Sequence, residues 1–164
     1  MDVRIRAIDG DEWRLWRSLR MRAVEESPDA FRSTLGQESA EADDWWIDLI
    51  KKTADHPHDV LLVAESAGDA VGMLFGRLTD DELLDVGSMW VEPEVRRHGI
   101  GRRLLAYAVE WGVGAGAQRA ELWVGHDNTA ARRLYEQAGF VATGDTEPLR
   151  SGSDLMVEKL VADL

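Results

Sequence analysis

The turn that most constrains the fold is the one where a strand-like segment gives way to a helix. The segment ELLDVGSMWVEP is typical of a strand and stops at Pro93, which cannot donate a hydrogen bond to a sheet. It is followed by Arg96-Arg97-His98-Gly99-Ile100-Gly101-Arg102-Arg103 and then by a stretch with the apolar periodicity of a helix. A strand, a glycine-containing turn and a helix in this order predict part of an α/β domain.

The same turn has the chemistry of an anion site. Gly99 and Gly101 leave backbone N–H groups unshielded by a Cβ, and the N-terminus of the following helix adds about half a positive charge. Arginines on both sides supply donors for phosphate oxygens. The chain contains no P-loop motif. G-x-G-x-x-G is also absent, because Leu104 stands where its third glycine would fall. We therefore predict that residues 96–103 bind a diphosphate group, and we call them the cradle. The alternative is that these residues are only the solvent-exposed, basic first turn of a helix.

These arginines stand in an acidic chain. The 164 residues contain 19 Lys and Arg against 31 Asp and Glu, a net charge of −12. Residues 94–103 hold four arginines and one glutamate, a sum of +3, whereas residues 25–48 hold eight acids and one arginine, a sum of −7. A protein with this negative charge is repelled by nucleic acid and by anionic lipid. We therefore expect neither nucleic acid nor a membrane as a partner.

Other residue types narrow the chemistry further. The chain contains no cysteine, which excludes thiolate metal sites and cysteine nucleophiles. His56 and His58 have no companion at metal-ligand spacing, so we expect a loop there and no metal. The N-terminus lacks a hydrophobic signal segment, and no apolar run reaches about 18 residues, so we expect a cytoplasmic protein.

The length of 164 residues and the lack of a Pro/Gly/Ser-rich linker predict one domain over residues 1–164. Hydrophobic periodicity predicts the element order β-α-α-β-β-β-α-β-α-β-β. A strand covers residues 3–8, and helices are expected up to Pro28 and from about 41 to 52. The glycine cluster of Gly112, Gly114 and Gly116 is expected to end the helix that follows the arginine turn. This order predicts an α/β fold with a mixed, mostly antiparallel central sheet flanked by helices on both faces.

A second motif lies about thirty residues after the first: Asn128-Thr129-Ala130-Ala131-Arg132-Arg133-Leu134-Tyr135-Glu136-Gln137-Ala138-Gly139-Phe140. It resembles N-x-x-A-x-x-L-Y-x-x-x-G-F, and Val91–Gly101 resembles V-x-P-x-x-R-x-x-G-x-G; both are signatures of the GNAT N-acetyltransferase superfamily. The resemblance covers roughly residues 60–160. It implies a single acetyltransferase domain, with an acceptor-side strand and helices in residues 1–57 and an acyl-CoA-binding core in residues 58–164.

The resemblance also implies the donor and its contacts. Acetyl-CoA would be the acyl donor, with its pyrophosphate on the amides of the arginine turn and its pantetheine arm along the preceding strand. Asn128 and Tyr135 are seven residues apart and are expected on one helix face, where Ala131 leaves room for the ligand. The implied cofactor-binding residues are Trp90, Val91, Arg96, Arg97, His98, Gly99, Ile100, Gly101, Arg102, Asn128, Ala131 and Tyr135.

Three residues are candidates for catalysis. The resemblance implies that the Tyr135 phenol protonates the leaving thiolate, the alternative being a core aromatic. Gly87 suggests a bulge in the strand, from which the N–H of Met89 would stabilise the thioester oxygen during direct transfer.

Asp85 stands where several family members carry a glutamate base. Aspartate reaches less far than glutamate, so a base acting through water is expected. Glu82 and His126 are the other candidates for the base, and a solvated acid without a catalytic role is the alternative for Asp85.

The acceptor is the least constrained part. The −7 segment and the aromatic residues Phe31, Trp45 and Trp46 are candidates for a wall that contacts a small cationic amine, although an ordinary solvated helix face also fits. A protein N-terminal or lysine acetyltransferase and a non-catalytic acyl-CoA-binding module remain as alternatives. The sequence leaves open whether the chain forms a homodimer.

Overall fold

The computed structural model describes residues 1–164 and contains seven strands in one sheet and five α-helices. The strands are β1 (Arg4–Ala7), β2 (Asp59–Ser66), β3 (Asp69–Leu78), β4 (Leu83–Val91), β5 (Arg119–Gly125), β6 (Val141–Pro148) and β7 (Met156–Asp163). The helices are α1 (Trp13–Glu26), α2 (Leu35–Ser39), α3 (Asp43–Asp55), α4 (Ile100–Gly114) and α5 (Thr129–Gln137), and short 3-10 turns cover Pro28–Ala30 and Pro93–Val95. None of the helices combines the length and the apolar character that crossing a membrane requires.

The sheet separates two apolar cores, and helices cover both of its faces. Its strand order is β1-β2-β3-β4-β5-β7-β6, and only the β4–β5 pair is parallel. On one face α1 and α3 bury Trp16, Leu19 and Trp46 against β2 and β3. On the other face α4 and α5 bury Leu104 and Tyr135. The predicted mixed, mostly antiparallel sheet with helices on both faces is confirmed.

The predicted order of elements is confirmed with one addition, the five-residue helix α2. It begins at a reciprocal cap: the Gln37 N–H donates to Thr34 Oγ1 (3.2 Å), and the Thr34 N–H donates to Gln37 Oε1 (3.0 Å). A single turn that contains Gly36 has too few apolar positions to show a helical period. Periodicity alone therefore missed it.

α4 ends at Gly114, within the predicted cluster of Gly112, Gly114 and Gly116, so Gly112 itself is still helical. A Cβ on Gly112 would lie 2.9 Å from Leu84 Cδ2, and Leu84 is fully buried on β4. Gly112 is therefore required by the close approach of α4 to the sheet. The chain leaves the helix in a left-handed conformation only at Gly116, where φ is +102°.

β4 contains the predicted bulge, but its left-handed residue is Ser88 and not Gly87. Phe75 pairs with Gly87 and Met73 pairs with Trp90, so two steps on β3 match three steps on β4. Ser88 takes the extra step at φ +53°. Because side chains alternate along a strand, the extra residue turns Met89 toward the α4 core and Trp90 toward the α1 core.

The Gly112 contact predicts an asymmetric pair of substitutions in α4. Gly112→Ala forces its new methyl group against buried Leu84 and is expected to lower the free energy of unfolding by about 1–2 kcal/mol. Gly114→Ala is the control, because a Cβ there meets no atom within 4 Å and alanine favours helix. Urea denaturation measures both variants. Equal stability of the two variants would contradict the close approach.

Candidate active site

A gap opens in the sheet where β4 and β5 separate. The two parallel strands pair from Leu83 with Arg119 to Val86 with Leu122. Gly87–Val91 of β4 and Trp123–Gly125 of β5 continue without pairing to each other, although each strand stays paired on its outer side. Backbone N–H and C=O groups that face the gap lack a strand partner and are free to bind an extended ligand.

The arginine turn lies at the end of β4 and leads directly into α4. Arg97 and Gly99 adopt left-handed conformations, with φ of +67° and +77°. The first helical hydrogen bond runs from the Arg103 N–H to the Gly99 carbonyl (3.0 Å). The amides of Ile100 and Gly101 therefore lie ahead of the first closed turn, where anions bind.

The side chains around this turn fit a diphosphate. Gly99 is exposed, and a Cβ there would meet no atom within 4 Å. Arg97, Arg102 and Arg103 are exposed, and no ion pair occupies them. Ile100 is buried, so only its backbone is accessible to a ligand.

Two other predicted cradle residues are engaged within the protein. Arg96 donates through Nε to the Val91 carbonyl (2.9 Å) and through Nη2 to Glu26 Oε2 (2.7 Å). His98 Nδ1 lies 3.0 Å from the Arg96 carbonyl oxygen, within the turn itself. Arg96 therefore ties the cradle to the end of α1, and His98 contributes to the shape of the turn.

Met89 connects the cradle to Tyr135 on the α4 side of the gap. The Tyr135 hydroxyl lies 4.0 Å from Met89 Sδ, and a Cβ on Gly101 would lie 3.7 Å from Met89 Cε and 3.0 Å from Leu134 Cδ1. Tyr135 is 7% exposed, and burial raises the pKa of its phenol. Tyr135 is therefore a protonated donor at neutral pH.

Asn128 is placed differently from the prediction that it shares a helix face with Tyr135. It is the residue before α5, and its Oδ1 accepts a hydrogen bond from the Ala131 N–H (3.2 Å). A seven-residue spacing places two residues on one face only if both are helical, and Asn128 is the N-cap. Ala131 is half-buried in the first turn of the helix.

Asp85 lies on the opposite face of the sheet from Tyr135, close to the gap. Its strand neighbours in register are Arg77 on β3 and Glu121 on β5. Burial raises the pKa of Asp85, and the negative charge of Glu121 raises it further. The positive charges of Arg77, Arg32 and Lys159 oppose this increase. The gap therefore has a carboxylate on one side and a phenol on the other.

The two other candidates for the base lie elsewhere. Glu82 is exposed in the turn before β4, at the end of the strand away from the cradle. His126 is exposed after β5 and lines a cavity at the mouth of the gap. Asp85 is the candidate that lies within the sheet, and burial raises its pKa.

The cavity beside His126 has a volume of about 330 Å³. The end of α1, the connection between β5 and α5, and the loop between β6 and β7 enclose it. Its lining contains the carboxylates of Glu26, Asp29 and Asp127 and no lysine or arginine. The lining residues are Glu26, Ser27, Pro28, Asp29, Ala30, Gly125, His126, Asp127, Asn128, Leu149, Leu155, Met156 and Val157.

Glu26 joins this cavity to the cradle. Its Oε2 accepts hydrogen bonds from Trp90 Nε1 (2.9 Å), Arg96 Nη2 (2.7 Å) and the Ser27 hydroxyl. Burial acts to raise the pKa of Glu26, but these hydrogen bonds and the Arg96 charge hold it below its usual range. No sequence signal distinguishes Glu26 for this role, because it is one of eight acids in residues 25–48.

The aromatic residues predicted at the acceptor do not line the cavity beside His126. Trp46 is 1% exposed in the α1-side core, and Trp45 is exposed on α3, which packs against α1 and β2 rather than beside the cavity. Phe31 is buried beneath the Arg20 guanidinium, 4.5 Å from the ring centre. The Trp90 side chain is also buried in the α1-side core. The predicted acceptor positions of Trp45 and Trp46 are therefore corrected: Trp46 is a core residue on the buried side of α3, and Trp45 lies on its exposed side with its ring against Trp46.

Known proteins match both the sequence and the fold. Residues 16–140 match the acetyltransferase (GNAT) family. An uncharacterized N-acetyltransferase of Archaeoglobus fulgidus is 36% identical over 83 residues, covering 47% of this chain and 56% of that protein. A mycothiol acetyltransferase of Kocuria rhizophila is 30% identical over 148 residues, covering 84% of this chain and 46% of that protein. The chain spans about half the length of such curated relatives.

A solved structure agrees with the architecture. The structure of yncA from Salmonella typhimurium with its cofactor acetyl-CoA has a TM-score of 0.80 and 20% identity, covering 100% of this chain and 95% of that one. At this identity the similarity concerns the fold. The family match covers most of the chain, including the cradle and α5. The chain therefore belongs to the GNAT acetyltransferase family.

Proposed function

We propose that this protein is an acetyl-CoA-dependent N-acetyltransferase whose acceptor is the primary amine of a small cationic molecule. The observation that carries this proposal is the exposed cationic cradle at the end of β4, beside a gap whose two sides hold Tyr135 and Asp85. The α4 amides and the free guanidinium groups of Arg97 and Arg102 would hold the CoA phosphates. Acetyl-CoA would supply an acetyl group activated as a thioester.

Tyr135 is suited to protonate the departing sulfur. Its hydroxyl points to Met89 at the gap, and burial keeps the phenol protonated. Transfer of the phenol proton to the sulfur as the C–S bond breaks prevents negative charge from building up on the leaving group and so lowers the barrier to its departure. The Met89 N–H is the proposed donor to the thioester oxygen, since Met89 directly follows the bulge.

Asp85 is suited to remove a proton from the acceptor amine through a water molecule. An amine with a pKa near 10 is mostly protonated at pH 7, and freeing it costs about 4 kcal/mol. A carboxylate becomes a stronger base when its pKa is raised, and burial next to Glu121 raises the pKa of Asp85. Its position on the α1 face, opposite Tyr135, separates the base from the acid.

The cavity supports a small cationic acceptor. Its carboxylates are not balanced by basic residues in the lining, although Arg96 pairs with Glu26 from outside. An ammonium group would be attracted to Asp29 and Asp127, and a volume of about 330 Å³ is small for a folded protein segment. The relatives named mycothiol acetyltransferases also favour a small molecule over a protein acceptor.

Tyr135→Phe tests the assignment of the acid. Removing the hydroxyl while keeping the ring is expected to lower kcat about 10²-fold or more, with the dissociation constant of acetyl-CoA changed less than about twofold. Thiol release measures turnover, and calorimetry measures acetyl-CoA binding. Tyr107→Phe is the control, because Tyr107 is 38% exposed on α4. Unchanged turnover in Tyr135→Phe would remove the acid role from Tyr135. Tight acetyl-CoA binding by a wild-type protein that acetylates no amine would instead favour the non-catalytic acyl-CoA-binding alternative.

Asp85→Asn tests the base through the pH dependence of both rate and stability. Because the pKa of Asp85 is raised in the folded protein, its ionised carboxylate lowers the free energy of unfolding. The contribution of Asp85 to stability is therefore greatest below the pKa of the unfolded chain and is lost as the pH rises through the folded pKa. We therefore expect Asp85→Asn to unfold at a higher temperature than wild type at pH 7, with the difference vanishing at low pH. Its kcat is expected to fall about 10²-fold and to lose the acidic limb of the pH profile.

Asp85→Glu is the matched control for this prediction. It retains a carboxylate on the same strand and is expected to keep the acidic limb. Arg77 stays paired in both variants, because it donates to both carboxylate oxygens of Asp59. A wild-type pH profile that survives in Asp85→Asn would move the base to another group.

A further inference from the structure

Arg20 connects the N-terminal layer to the bulge in β4. From α1 its Nε donates to Glu38 Oε1 on α2 (2.7 Å), and its Nη1 donates to Ser88 Oγ (2.8 Å). The guanidinium also lies over the Phe31 ring, 4.5 Å from its centre. The Arg20 and Glu38 side chains are only 13% and 10% exposed. One buried cation therefore joins α1, α2 and the Phe31 loop to β4.

The contact is made at the strained residue of the bulge. Ser88 has a φ of +53°, a conformation that costs an L-residue about 1–2 kcal/mol. Such residues persist where their surroundings hold them, and the bond from Arg20 is the one side-chain hydrogen bond that Ser88 makes. Glu38 directs its bonded oxygen to Arg20, and its other oxygen is buried without a partner. Glu38 therefore acts as the counterion of Arg20.

The bulge decides which face of the sheet Met89 occupies. Successive side chains of a strand point to opposite faces of the sheet, so without the bulge at Ser88 the Met89 side chain would point toward α1. With the bulge, Met89 reaches the Tyr135 hydroxyl and the first turn of α4 at Gly101. The orientation of the Met89 N–H depends on the same backbone.

We propose that Arg20, supported by Glu38, is a positioning residue that holds the Ser88 bulge and thereby aims Met89 at the reacting thioester. Arg20 acts through Ser88 and has no contact with Tyr135 or the cradle among its hydrogen bonds. This inference rests on the proposed function. It adds that α1 and α2 control the geometry of β4, the strand proposed to bind the acetyl donor.

Ser88→Ala is the decisive variant, because it removes the hydrogen-bond acceptor and leaves the Arg20–Glu38 pair intact. Removing Arg20 alone would leave a buried carboxylate uncompensated and could unfold the chain. The double variant Arg20→Met with Glu38→Met removes both charges together and provides a second route to the same loss. Arg17→Met is the control, since Arg17 lies one turn earlier on α1 and pairs with exposed Asp43.

Two readouts separate positioning from stability. In Ser88→Ala and in the double variant, kcat is expected to fall about tenfold or more, with the KM for acetyl-CoA within about twofold of wild type. The methyl resonance of Met89, assigned by comparison with Met89→Leu among the five methionines, is expected to shift in both variants. Arg17→Met is expected to change neither quantity.

A kcat within about twofold of wild type in Ser88→Ala overturns the positioning role of Arg20, whatever the spectrum shows. So does a lower kcat with an unmoved Met89 resonance, because the loss would then reflect stability alone. If the wild-type protein binds acetyl-CoA but acetylates no amine, the proposed function fails, and the Met89 resonance alone decides whether Arg20 holds the bulge.

Discussion

The structure depends on the short parallel pairing of β4 with β5. Pairing ends at Val86, and the bulge at Ser88 then changes the direction in which β4 presents its side chains. The gap and the contact between Met89 and Tyr135 follow from these two features. The helices stabilise this arrangement from both faces, α4 through its close contact with Leu84 and α1 through Arg20.

The charge distribution acquires a more specific meaning in three dimensions. The acids of residues 25–48 do not form one negative wall, because Glu26, Glu38 and Asp43 are each paired with an arginine. The Glu26–Arg96 pair connects α1 to the cradle, and the arginine of the Glu38–Arg20 pair connects α1 to Ser88 on β4. The carboxylates left to attract a cation at the cavity are those of Asp29 and Asp127. Asp127 lies outside the acidic segment.

The sequence predicts local geometry better than it predicts tertiary neighbours. The sheet and the bulge are predictable, because periodicity and a strand glycine are local signals. Trp45 and Trp46 are adjacent to many acids in sequence, yet the position of α3 over β2 carries them away from the cavity. Serine does not favour a left-handed conformation, so the sequence does not predict one at Ser88. The hydrogen bond that supports it comes from Arg20, 68 positions away in the sequence. Glu26 likewise gains its role from residues about seventy positions away.

The central claim is that acyl transfer occurs at this gap to a small cationic amine. The most direct measurement is thiol release from acetyl-CoA with a panel of amines matched in size, bearing extra positive charge, no charge or negative charge. The account predicts that polycationic amines have the highest kcat/KM and that added salt reduces their advantage. Equal or faster transfer to neutral or acidic amines would contradict the assignment of the acidic cavity to the acceptor.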